Sequence, residues 1–160
     1  MNTLYEKCDS LNSPIECFMD YGSRCSFPIK PHWHYFMEII YIFEGHAEVR
    51  SGSTVISAGR GDMALFHPKA VHSISSDSPD DLRYGVIKLD INCINMTADY
   101  APKFRSIFSF AEQRGMSIYF DNAQTEAIEA SRIFENCIKE MQVRRYGCLL
   151  YTSPSPRDRG

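Results

Sequence analysis

The stretch His32–Gly45, HWHYFMEIIYIFEG, constrains this chain more than any other: it is bulky and apolar throughout, yet it carries two imidazoles and a carboxylate. Read as a strand, residues two apart share a face. His32, His34, Phe36, Glu38, Ile40 and Ile42 then form one row, and Trp33, Tyr35, Met37, Ile39, Tyr41 and Phe43 the other. A strand hydrophobic on both faces is covered on both, which places the even row in an interior. Imidazoles and a carboxylate on an inner wall are costly unless they meet each other, a ligand, a metal or water. The pattern predicts Phe36 and Ile40 as apolar pocket walls beside the polar row, with Trp33 and Tyr41 packed under helices on the other side.

Strand signals run from about 32 to 90, where AEVRSG, STVISA, MALFHP, VHSIS and LRYGVIKLDI follow the first run with turn residues between them. Six or so short antiparallel strands with tight turns imply a sandwich or barrel. The GRGD turn leads to a strand beginning at His72, which supplies a third imidazole. Three histidines and one glutamate (His32, His34, Glu38, His72) suit Zn, Fe, Ni or Mn. A ligand-lining cluster satisfied by hydrogen bonds and water, with no metal, is the preferred reading of the same residues. His46 is expected on a solvent-facing strand position and His67 in a loop at the barrel mouth.

Residues 1–30, broken by Pro14, Gly22 and Pro28, read as a loose arm or a short edge strand. After residue 100 the period changes. Pro102 suits a helix start, Phe104, Ile107, Phe108 and Ala111 repeat at helical spacing, and Gly115 suits a stop. An extended piece, MSIYF, separates this from a second helix capped by Asp121 or Asn122, with Ala127, Ala130, Phe134, Cys137 and Met141 as its apolar stripe. The Arg144-Arg145 pair fits the solvated end of that helix. Residues 148–158, CLLYTSPSPRD, leave the pattern and resemble a transposase-type sequencing adapter translated in frame. The expected organisation is an arm over 1–25, a β-barrel over 26–95, a helical segment over 96–147 and a non-native tail over 148–160.

A net charge of −3 gives no basic footprint, so the composition argues against this chain gripping DNA by itself. No apolar run has the length of a bilayer span and the N-terminus lacks a signal-peptide layout, which makes a cytoplasmic protein with no membrane partner the expectation. The six cysteines show no CxxC pair and read as reduced thiols packed mostly as small hydrophobes.

The paired motifs resemble those of the cupin family. His32, His34, Glu38 and Gly45 match its first motif; Gly61, Asp62, Pro68 and His72 match its second. Ser26, His67 and Lys69 depart from the pattern but leave the four ligand positions intact. The resemblance implies a mainly β fold with C-terminal helices: a cupin-type double-stranded β-helix, or jelly-roll barrel, followed by two α-helices. Over residues 15–147 the chain is similar, more narrowly, to the sensor domain of AraC-type bacterial transcription regulators. That implies a small-molecule effector such as a sugar or related metabolite in the barrel and a homodimer through the helices. It also implies DNA contact only through a C-terminal domain absent from this chain, no catalytic residues, and ligand-binding roles for His32, His34, Phe36, Glu38, Ile40 and His72. The competing expectation is a stand-alone metal-dependent cupin enzyme, a dioxygenase or sugar isomerase, resting on the complete four-ligand set.

Overall fold

The computed structural model describes residues 4–93 and 104–143. Among these residues nine strands form two antiparallel sheets. β1 (Ile15–Tyr21), β8 (Arg83–Leu89), β3 (Met37–Glu44), β6 (Met63–Phe66) and β9 (Tyr119–Phe120) make one, in that spatial order. β2 (Ile29–His32), β7 (His72–Ser75), β4 (His46–Ser51) and β5 (Thr54–Gly59) make the other. The pairings β1·β8, β2·β7, β3·β6 and β4·β5 are those of one long hairpin rolled up on itself, the double-stranded β-helix of a jelly roll.

β3 is buried along both faces, as its composition requires. Its even side chains, Ile40 and Ile42, join Val49, Ile74, Phe66, Tyr84 and Val86 between the sheets. Its odd side chains, Tyr41 and Phe43, join Met63, Ala130 and Phe134 outside, beneath a helix. Gly45 takes φ 80° where the chain leaves β3, and a Cβ there would sit 2.6 Å from the Asp81 carbonyl oxygen, so glycine is needed on two counts.

Two departures from the sequence reading, and one choice between its alternatives, have physical causes. First, His32–Phe43 is not one strand. The chain bends between His32 and Met37 and crosses from one sheet to the other, so His32 belongs to β2 and Glu38 to β3. Trp33 therefore does not lie under the helices; it packs against Tyr5 and Tyr35 at 4.8 and 5.4 Å between ring centroids. Second, of the two readings of residues 1–30 the edge strand is the one realised: Ile15–Tyr21 pairs in continuous register with β8 from Ile15↔Leu89 to Tyr21↔Arg83. Third, three helices replace the expected two. α1 (Phe104–Gln113) ends before Gly115 at φ 60°, as expected. The second predicted helix divides into α2 (Asn122–Ala127) and α3 (Ala130–Val143), with Glu129 at φ 53° between them. Asp121 caps α2 through a capping box with Gln124. The buried Thr125 hydroxyl then donates to the Gly61 carbonyl, which fixes α2 against the β5–β6 turn and lets α3 leave in a new direction. The apolar stripe of α3 runs through Ala130, Phe134 and Ile138, while Ala127 is exposed. The Pro102 helix start, Arg144-Arg145 and the tail lie outside the described residues. Cysteines are less buried than expected: Cys25 and Cys93 are exposed.

Candidate functional site

His32 and His72 are cross-strand partners on β2 and β7, their rings 4.3 Å apart between centroids. His34 sits in the crossover between β2 and β3, and Glu38 follows on β3. One donor atom from each of the four residues lies within 4.8 Å of the others. His34, Glu38 and His72 are almost fully buried, at 1, 4 and 2 % exposure. Phe66 stacks on the His72 ring at 4.2 Å with an interplanar angle of 10°, holding its orientation.

The hydrogen bonds around the imidazoles repeat. Each Nδ1 faces a backbone carbonyl: Lys30 for His32 at 2.9 Å, Phe36 for His34 at 2.9 Å and Ala70 for His72 at 2.8 Å. A carbonyl only accepts, so each Nδ1 carries the proton and each Nε2 is left to face inward. His34 Nε2 lies 2.8 Å and His72 Nε2 3.4 Å from the same oxygen of Glu38, and a carboxylate also only accepts. A positive centre between these atoms, a proton or a metal ion, satisfies both sides. Backbone carbonyls that fix ring orientation in this way are the usual outer support of histidine metal ligands. The donor set therefore fits a divalent transition metal, with His32, His34, Glu38 and His72 as the residues that would hold it.

Two residues outside the motifs modify the cluster. Lys88, cross-strand partner of Glu38, places Nζ 3.7 Å from Glu38 Oε2 and 2.9 Å from Glu6 Oε1. Glu6, in the segment before β1, also lies 3.0 Å from His32 Nε2. The His32 bond, followed by Lys88, holds the Glu6 carboxyl down to about 2 against the opposing effect of burial. Burial alone would raise Glu38, but bonds from His34 and His72 outweigh it and leave the acid well below its usual range. Burial likewise works against the charged forms of Lys88 and His32, yet their carboxylate partners move both upward.

The cluster opens on a cavity of about 800 Å³ between the sheets. Phe18, Ile29, Ile74 and Val86 make its apolar walls, and Asp20, His32, Glu38, Tyr84 and Lys88 bring polar atoms to it. Tyr5 and Glu6 border its mouth. Phe36 and Ile40, expected as walls, are fully buried and do not line it. Ile40 and Ile42 belong to the packed interior, and the apolar walls come from other strands. His34 and His72 bond to Glu38 without lining the cavity themselves. Tyr84 donates to Asp20 Oδ2 at 3.0 Å across the β1·β8 pair. His46 is exposed and bonded to Ser57, and His67 is buried beside Phe108.

Sequence reasoning missed Lys88, Asp20, Tyr84 and Glu6. Lys88 and Tyr84 were within reach, since Tyr84, Val86 and Lys88 share one parity in a run already assigned as a strand. Glu6 lies in a stretch with no periodic signal.

A family model for the AraC-like ligand binding domain matches residues 17–150. The chain belongs to that family. No curated protein matches this AraC-like ligand binding domain. Among solved structures it is similar to an RmlC-like cupin from Shewanella frigidimarina, at 17% identity and TM-score 0.40 over 47% of this chain and 65% of the other. An RmlC-like cupin family protein from Methanocaldococcus jannaschii matches at 13% identity and TM-score 0.39, over 47% of this chain and 67% of that one. The cupin domain of Schizosaccharomyces pombe Cnp3 matches at 11% and 0.42, over 49% and 54%. The AraC-like domain thus spans just under two thirds of the first of these chains. No helix among the described residues is long and apolar enough to cross a membrane.

Proposed function

We propose that this chain is the effector-sensing and dimerisation part of a bacterial AraC-type transcription regulator. A small polar metabolite, such as a sugar, binds between the sheets, and a DNA-binding domain outside this sequence acts on the result in the cytoplasm. The observation that carries the reading is the cavity itself: apolar walls around a few polar groups, His32, Glu38, Lys88 and Asp20, which is the usual make-up of a small-molecule site. Exposed apolar side chains on the helices, Ile107, Phe110 and Ile133, support dimerisation through that segment. His32, Glu38 and Lys88 contact the ligand, with His34 and His72 orienting Glu38. The test is a thermal-shift screen of sugars and related metabolites on the full chain, repeated on Lys88→Met. A hit whose stabilisation is lost in Lys88→Met supports the reading; a screen in which every hit stabilises both proteins equally removes the cavity from it.

A second reading, a metal-dependent cupin enzyme, is favoured by one observation: donor atoms of His32, His34, Glu38 and His72 lie within 4.8 Å of one another. A bound Fe, Mn, Ni or Zn ion would supply Lewis acidity there. Elemental analysis of purified protein separates the two readings. Stoichiometric metal that disappears in His34→Ala supports the enzyme, and folded wild-type protein that takes up none defeats it.

A further inference from the structure

The outward face of β1 holds a pair of groups that the cavity does not use. Even residues of β1, Phe18 and Asp20, line the cavity; odd residues point the other way. Met19 packs into the outer cluster with Ile87, Tyr41 and Phe134, beneath α3. Cys17, two residues earlier on that face and opposite Ile87 in register, is buried. On α3 the buried residues Phe134 and Ile138 turn Cys137 toward the same interface, where it is half-buried. Cys17 and Cys137, both reduced, thus face one interface between β1 and α3, where their side chains interact.

We propose that Cys17 and Cys137 form a redox-active pair, which a low-molecular-weight disulfide such as glutathione disulfide oxidises to a cross-link between β1 and α3. Burial sets the order of events. The accessible Cys137, after releasing its proton to solvent, attacks one sulfur of glutathione disulfide, and one glutathione leaves with the electron pair and takes up a proton. Cys17, shielded from the reagent, then loses its proton and attacks the Cys137 sulfur of the mixed disulfide. The second glutathione leaves in the same way. Two electrons pass from the cysteine pair to glutathione disulfide, giving one protein disulfide and two thiols. The lowering of the Cys137 thiol to about 7, caused by the Cys17 hydrogen bond against the effect of burial, supplies thiolate for the first attack near neutral pH. Because β1 also lines the cavity, the cross-link ties the ligand site to the last described helix.

The experiment treats the full chain with glutathione disulfide, quenches with acid, alkylates the remaining thiols and maps peptides without reduction. The expected result is a joined Cys17–Cys137 peptide pair, with the alkylation signal of both residues lost and dithiothreitol restoring it. Cys17→Ser is expected to retain one glutathione on Cys137, since nothing resolves the mixed disulfide, and Cys137→Ser to carry none on Cys17. Folded wild-type protein in which both cysteines remain alkylated, or in which glutathione stays on Cys137 without the cross-link, overturns the proposal. The wild-type map alone decides if either serine variant fails to fold.

Discussion

At the scale of single residues, acceptor-only groups set the chemistry of this molecule. Tyr84 is 1 % exposed and donates its hydroxyl to Asp20, the polar counterpoise to the His–Glu cluster in the cavity. Tyr84→Phe removes that donor and leaves a carboxylate short of one partner, which is expected to cost about 1.5–3 kcal/mol in urea unfolding. Cys137 offers a check by pH. Its thiol is lowered to about 7 in the fold, so alkylation in native protein is expected to rise with pH through a midpoint near 7. In urea-unfolded protein the midpoint is expected near an ordinary thiol value, about 8.5. Cys17→Ala, which deletes the donor, is expected to shift the native midpoint upward. Parity brought His32, His34 and Glu38 together in the sequence, yet by a false route: it treated His32 and Glu38 as neighbours on one strand, whereas they face each other from two sheets.

At the scale of elements, the helical layer depends on close approach to β8. Gly85 lies under α3, and a Cβ there would fall 2.8 Å from Phe134 Cδ1 and 3.0 Å from Phe43 Cε2. Gly85→Ala is expected to wedge α3 from the sheet and cost about 1–3 kcal/mol, read as a lower urea midpoint with an unchanged slope. The six central strands were legible because alternation and turn residues are local signals. The split between α2 and α3 was not: no proline or glycine marks residues 128–129, and the break follows from Thr125 reaching Gly61, a contact distant in sequence. β2 escaped notice because a strand of four residues carries too short a pattern to count, whereas β9 falls within the extended piece MSIYF.

At the scale of the whole molecule, the nested pairing orders the fold from inside outward. β4 and β5 join through a tight turn, with Ser51 opposite Thr54, whereas β1 and β8 join residues as far apart as Ile15 and Leu89. Bringing distant segments together costs more chain entropy than closing a short loop. Amide hydrogen exchange is expected to be slower in β4, paired on both sides, than in the edge strands β1 and β2; uniform protection across the three would contradict this ordering. The cavity takes walls from the edge strands β1 and β2 as well as from β3, β7 and β8. Because two of its walls are edge strands, local opening there is expected to admit a guest while the central β4–β5 hairpin stays undisturbed.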